Sequence, residues 1–135
     1  MSTIAIREVQ PNELAEIASF AKFAPRHAEN HALALVAVAD GQIAGYLEMS
    51  PTFFYREFVS LLSVHPAHRR QGVATALMKA AEARCHAGQV FTSTNLSNQP
   101  MQALLARMAY RVCGFVEDLD EGDPELIFVK RLNRT

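Results

Sequence analysis

The chain has 135 residues, half of them hydrophobic and a fifth charged, with a formal net charge of −1. That length supports one folded domain whose core removes roughly two-thirds of the unfolded surface from water, and the near-neutral balance excludes a global field for nucleic acid or an anionic membrane, so any basic patch is local. The longest apolar runs, such as ALALVAVA at 32–39, fall well short of the ~20 residues that a membrane helix needs.

TIAIREV at 3–9 alternates as a first strand, and Pro11 stands where a helix can begin without losing a hydrogen bond. Leu14, Ile17, Ala18, Ala21 and Ala24 recur at helical spacing, which predicts an amphipathic helix over 12–24 ended by Pro25. RHAENHA at 26–32 is a polar connection with no conformation assigned. Around Asp40–Gly41, a dipeptide favoured in tight hairpins, the apolar runs predict strands at 33–39 and 43–50. EFVSLLSV at 57–64 follows PTFFYR and adds a third consecutive strand, hence an antiparallel meander.

From Val73 to Ala87 the polar residues Thr75, Lys79, Glu82 and His86 form a single stripe. The helix this predicts is buried around most of its circumference, with Gly88 as its cap. QVFTST at 89–94 reads as a short strand, and NLSNQP at 95–100 as a turn that N-caps a last helix with Met101, Leu104, Leu105 and Met108 on its inner face. Period two returns in YRVCGFVE at 110–117 and ELIFVKR at 125–131, on either side of the acidic turn DLDEGDP. The order β-α-β-β-β-α-β-α-β-β, without repeat or linker, predicts a mixed α/β layer fold in a single domain over 1–135. Cys85 and Cys113 lack a CxxC spacing, and with no secretory leader they read as reduced, buried thiols of a cytoplasmic protein.

The most informative stretch is VHPAHRRQGVATAL at 64–77, which runs from strand to helix through one glycine. A helix N-terminus offers unpaired amides and a partial positive charge, and Gly72 lets an anion approach closely. The amides of Arg69, Arg70, Gln71, Gly72, Val73, Ala74 and Thr75 can wrap a phosphate group. Arg69 and Arg70 add charge-assisted bonds, and Ser63 and Val64 can pair with an extended ligand. The site suits a pyrophosphate. The six glycines are scattered, so neither G-x-G-x-x-G nor G-x-x-x-x-G-K-[ST] is present, which excludes a Rossmann fold and a Walker P-loop.

RRQGVA, Arg69 to Ala74, resembles the R/Q-x-x-G-x-G/A signature of the GNAT N-acetyltransferase superfamily, and SVHPAH before it resembles that family's strand end and proline-containing loop. The resemblance spans most of the chain. It implies a GNAT-like mixed, mostly antiparallel sheet of about seven strands flanked by three to four helices. It further implies signature amides holding the pyrophosphate of acetyl-CoA, with Leu62 and Val64 offering backbone groups to the pantetheine arm. A second family pattern, N-x-x-A-x-x-L-Y-x-x-L-G-F, falls on Asn98, Met101, Leu104, Met108 and Tyr110, which implies that Asn98 and Met101 contact the cofactor. The chain departs from this pattern at the family's tyrosine, here Leu105, and its glycine, here Ala109. Leu105 cannot reprotonate a leaving thiolate. A thiol of pKa near 8.5 leaves tolerably unassisted at neutral pH, with water, Tyr110 or Ser97 as proton source.

Acyl transfer needs a neutral amine. Stripping the proton from a lysine-like amine at pH 7 costs about 4–5 kcal/mol, whereas an α-amino group costs little more than ~1 kcal/mol. Glu57 and Glu48 are the candidate bases, although strand alternation equally makes them solvated residues. The Val64 amide is placed to polarise a thioester carbonyl. EDLDEGDPE at 117–125 holds six carboxylates in nine positions, either a solvated turn or a means of steering a cationic acceptor. FFY at 53–55 is core or rim packing, or the lining of an acceptor pocket. His27 and His31 stand four apart without a third ligand, so no metal is expected. The expectation is transfer of an acetyl group from acetyl-CoA to a primary amine of a small molecule or peptide by direct attack, with no nucleic acid or membrane partner. The rival reading is a CoA-binding module that has lost its chemistry, as Leu105 suggests. The two terminal strands could extend a partner's sheet and so permit a homodimer.

Overall fold

Asp40 and Gly41 both take left-handed backbone angles, φ 53° and 72°, the pair of positive values that a two-residue hairpin with correctly twisted strands requires. The computed structural model describes residues 3–22, 25 and 32–133, and this turn joins β2 (Leu33–Ala39) to β3 (Gln42–Phe53). The next hairpin, into β4 (Arg56–Val64), turns on Phe54 and Tyr55, also left-handed and both exposed. Neither residue type favours that conformation. Phe53 anchors the turn instead, its ring within 5.3 Å of those of Phe58 and Phe91.

With β1 (Ile4–Glu8), β5 (Gln89–Asn95), β6 (Arg111–Val116) and β7 (Glu125–Arg131), these strands form one seven-stranded sheet in the order β1-β2-β3-β4-β5-β7-β6. Neighbours are antiparallel except β4 and β5, which run parallel and match only at Phe58–Phe91 and Val59–Thr92. The seven-stranded, mostly antiparallel sheet is the one expected. Of the last two strands only β6 is an edge, because β7 lies inside the sheet.

Among the described residues, three α-helices cover the sheet. A 3-10 turn at Pro11–Glu13 leads into α1 (Leu14–Ala18), which is shorter than the predicted 12–24. It ends where Ser19 Oγ donates to the Glu16 carbonyl at 2.6 Å, satisfying an acceptor that another helical turn would have taken. α2 runs over Val73–Arg84 and stops before Ala87, since Cys85 is already extended on its way to β5, and Gly88 is no cap. α3 (Gln99–Arg107) is N-capped by Asn98, whose side chain accepts from the Met101 amide at 3.2 Å. Past its end Ala109 holds φ 70°, the left-handed conformation for which glycine is the usual residue.

α2 and α3 bury one face around Leu47, Leu77, Met78, Leu105 and Phe128, while α1 buries the other around Ile17, Val36, Tyr46 and Leu61. Glu82 ties α2 to the sheet by accepting from Tyr110 Oη at 2.8 Å and Lys130 Nζ at 2.9 Å. Burial, and then this bond to a carboxylate, push the Tyr110 phenol well above its ordinary range, so it stays a donor. Neither cysteine forms a disulfide; Cys85 is buried as expected, but Cys113 on the β6 edge is exposed.

Gly45 of β3 sets the approach of α2. A methyl group there would stand 2.6 Å from Val73 Cγ1 and 3.0 Å from both Leu77 Cδ1 and the Ser63 carbonyl oxygen. One of those atoms is backbone, so the strain cannot be relieved by side-chain rotation alone. Gly45→Ala is expected to destabilise the fold by about 1–3 kcal/mol in chemical denaturation. An unchanged midpoint would mean that α2 does not rest on this residue.

Candidate active site

The site is built where the sheet stops pairing. The His65 amide donates to the Ala44 carbonyl at 2.8 Å, which fixes the phase of the β3–β4 ladder. Hydrogen-bonding positions alternate along an antiparallel pair, so Leu61 and Ser63 also face β3, whereas the N–H and C=O of Leu62 and Val64 point into the space toward β5. Ser60 drops out of register as a bulge, since Leu61 pairs with Glu48 and Val59 with Met49. Thr92 Oγ1 donates to the Val59 carbonyl at 3.0 Å and closes the last rung. Beyond it β4 and β5 diverge around a groove of about 170 Å³.

Strand alternation gives this groove two sides. Leu62, Val64 and Leu126 pack with the α2–α3 core, and Thr94 lies opposite Leu126. Ser63, Ser93, Asn95 and Glu125 therefore face the α1 side, as does Leu61. Asn98 and Met101, at the start of α3, border the groove and also a second cleft of about 650 Å³ over the N-terminus of α2. The two spaces are continuous at these residues.

Gly72 N-caps α2 with φ 81°, and nothing lies within 4 Å of where its Cβ would be. The first helical bond runs from the Ala76 amide to the Gly72 carbonyl at 3.0 Å. Among the described residues the amides from Arg69 to Thr75 have no acceptor, and the exposed guanidinium groups of Arg69 and Arg70 have no ion-pair partner. The two histidines of the preceding loop hold its shape. His65 Nδ1 accepts from the Ala67 amide at 3.0 Å, and the buried His68 bonds through Nε2 to Gln42 Oε1 at 2.7 Å. His68 borders the cleft, and its Nδ1 is buried without a partner among the described residues.

Leu62 and Ser63 thus line the groove; Arg69, Arg70, Gly72, Val73, Ala74 and Thr75 line the cleft with Val64; and Asn98 and Met101 join the two. Gln71 is exposed in the same loop but lines neither. The two candidate bases are not brought to the groove. Glu48 is only 4% exposed and accepts from Tyr46 Oη at 2.6 Å inside the α1-side core. Glu57 sits at the other end of β4, beside the Phe54–Tyr55 turn, where burial pushes its carboxyl up against the opposing pull of His86. Phe54 and Tyr55 stand at that far end too, away from the groove.

Both side chains expected to replace the family's tyrosine are committed elsewhere. Tyr110 donates to Glu82, and Ser97 Oγ donates to Asp123 Oδ2 at 2.6 Å. Leu105 is fully buried in the core. The acidic turn is more than a solvated tip, since Asp123 and Asp120 pin it onto the Asn95–Ser97 segment. Arg107 in the cleft and Lys22 at the groove were missed, because each arrives through long-range packing that no local motif announces, whereas His68 of the 64–77 stretch and Glu125 of the acidic run also line these spaces. Among the described residues no group of three His, Cys, Asp or Glu could hold a metal, and no helix is long and apolar enough to cross a membrane. His27 and His31 lie outside the described residues.

This arrangement can hold a diphosphate on main-chain donors and arginines, and can pair an extended chain with Leu62 and Val64. Comparison with known proteins gives the geometry a lineage. The solved acetyltransferase of the GNAT family from Bacillus cereus ATCC 10987 superposes with TM-score 0.86 at 29% identity, over 98% of this chain and 99% of that one. The structure of yncA from Salmonella typhimurium with its cofactor acetyl-CoA shares the fold, with TM-score 0.77 at 15% identity over 98% and 95% of the two chains. The aminoglycoside N(6′)-acetyltransferase type 1 of Acinetobacter haemolyticus is 35% identical over 98 residues, 67% of this chain and 66% of that protein. The sequence model of the acetyltransferase (GNAT) family matches residues 3–110. With strand order, helix entry and sequence in agreement, the chain belongs to the acetyltransferase (GNAT) family.

Proposed function

We propose that the protein is a cytoplasmic N-acetyltransferase that moves the acetyl group of acetyl-CoA to a primary amine of a small molecule or peptide by direct attack. One observation carries this reading: the donor-lined cleft at Gly72 opens at Asn98 and Met101 into a groove walled by the unpaired backbone groups of Leu62 and Val64. The residues fit the carrier. Among the described residues, amides without acceptors and two arginines without ion-pair partners border the cleft, where an anion supplies the acceptor that these donors lack.

Acetyl-CoA supplies a thioester, an acyl donor with a thiol leaving group. The chain's own part is to bind and orient. The amides of Gly72 to Thr75 with Arg69 and Arg70 hold the diphosphate, Leu62 and Asn98 align the arm, and the Val64 N–H donates to the thioester carbonyl as charge builds on its oxygen. The amine nitrogen bonds to the carbonyl carbon, the C–S bond breaks, and the ammonium proton leaves through solvent in the open groove, since Glu48 and Glu57 do not line it. With Tyr110 and Ser97 engaged, water protonates the departing thiolate. Two cysteines outside any disulfide accord with a reducing compartment.

The second reading, a CoA-binding module without turnover, draws on the buried Leu105. Thiol release from acetyl-CoA with a panel of polyamines, amino acids and peptide N-termini separates the two. Turnover on any amine supports the enzyme, and tight binding without turnover supports the module. Gly72→Glu places a carboxylate among the donors and is expected to lower acetyl-CoA affinity at least ~100-fold in calorimetry, with the circular dichroism unchanged; undiminished affinity would refute the assignment of the cleft. Tyr110→Phe is expected to lower stability by about 1–2 kcal/mol while leaving kcat within roughly twofold. A large loss of kcat with substrate affinities intact would instead make Tyr110 the acid.

A further inference from the structure

We infer that Glu125 selects the acceptor by receiving a second positive charge on the amine to be acetylated; this rests on the acetyltransferase reading above and deepens it. Three observations bear on it. Glu125 lines the groove on its α1 side, opposite the face that carries Leu62, Thr94 and Met101, the last of which also borders the cofactor cleft. Its carboxylate has no hydrogen-bond or ion-pair partner among the described residues, whereas Asp120 and Asp123 of the same turn are spent on structure. Its backbone is fixed on every side. Glu125 pairs with Asn95 on β5 and Val116 on β6, and Pro124 just before it accepts from the Leu96 amide at 2.8 Å.

A partly buried carboxylate on a rigid strand next to a cavity is a preorganised cation site, because the ligand need not order it. Lys22 also lines the groove but already has a partner. Beside Leu61, the side chains of Ser63, Ser93 and Asn95 lie on this face and can hydrogen-bond a polar acceptor. Position decides between selection and proton removal. Glu125 stands on β7, one strand beyond β5, so its main chain lies at least two strand spacings, roughly 10 Å, from the β4 edge that would hold the thioester. A glutamate spans less than half of that. The carboxylate therefore meets a group several bonds away from the reacting nitrogen, and the acceptor class is a diamine or another amine with a second cationic group.

The test compares 1,4-diaminobutane with 1-aminobutane, using wild type, Glu125→Gln and Glu125→Asp, with acetyl-CoA affinity measured in parallel. Wild type is expected to favour the diamine by at least roughly tenfold in kcat/KM, chiefly through KM, as one charge-assisted contact allows. Glu125→Gln should bring the two amines within about twofold of one another, leaving 1-aminobutane turnover and acetyl-CoA affinity unchanged, and Glu125→Asp should restore part of the preference. A preference that survives Glu125→Gln, or its absence in wild type, overturns the inference. So does an equal fall in turnover of both amines, which would make Glu125 the base. If wild type binds no acetyl-CoA, or acetylates neither these amines nor any of the panel, the acetyltransferase reading itself fails, whatever Glu125 does.

Discussion

The structure depends on a sheet that ceases to hydrogen-bond in its own middle. Parallel strands β4 and β5 share two matched pairs and then separate, leaving the N–H and C=O of Leu62 and Val64 directed into the gap. Main-chain groups in a protein interior are almost always paired. A central gap of this kind is stable only if water or a ligand completes the ladder, so the fold's main irregularity is also where an extended ligand can pair. The Ser60 bulge and the Thr92–Val59 bond mark where regular pairing ends. Ser60 shifts the phase of β4, and without that shift the faces of Leu61 and Leu62 would exchange.

The rest of the molecule keeps that gap and the neighbouring helix entry in fixed relation. Gly45 lets Val73, the first residue of α2, lie directly on β3 beside Ser63, so the helix that carries the amide donors and the strand that carries Val64 share one contact. At the other end of α2, Glu82 binds Tyr110 and Lys130 and so couples the helix to β7. The His65 and His68 contacts hold the intervening loop. Donors fixed before the ligand arrives need no reorganisation when charge develops, which is where electrostatic catalysis gains most.

Local chemistry was legible in the sequence, and long-range register was not. Asp40–Gly41 specified its hairpin, apolar runs and alternation specified the seven described strands, and Arg69 to Ala74 specified a helix entry through Gly72, because each depends on residues within a few positions. Helix ends were less legible: α1 and α2 stop short of their apolar periodicity, where Ser19 bonds back to the Glu16 carbonyl and Cys85 is already extended. The choice of Glu48 and Glu57 failed to reach the groove for a related reason. Alternation tells which residues share a face but not what covers that face, and Tyr46 covers Glu48 while Glu57 lies at the far end of its strand. Glu125 was visible only as one acid in a run of six. Its distinction from Asp120 and Asp123 arises from pairings between segments some 25 residues apart.

Leu105 and Ala109 show how this chain departs from its family's pattern without losing the architecture. Ala109 holds the left-handed conformation expected of glycine, at a strain of about 1–2 kcal/mol, and the Tyr110–Glu82 bond next to it keeps the turn in place. Leu105 gives the core a fully buried side chain where a tyrosine would bring a hydroxyl. The exchange is tolerable because the leaving group is a thiol, whose anion is stable enough near neutral pH to depart before it is protonated. The harder proton is the one on the amine, and among the described residues neither Glu48 nor Glu57 lines the groove where the proposed reaction would release it. A site so built works best on amines that lose their proton readily. In the proposed acetyl transfer, specificity would reside in how the acceptor is held, and the polar α1-side wall of the groove is the surface available for that task.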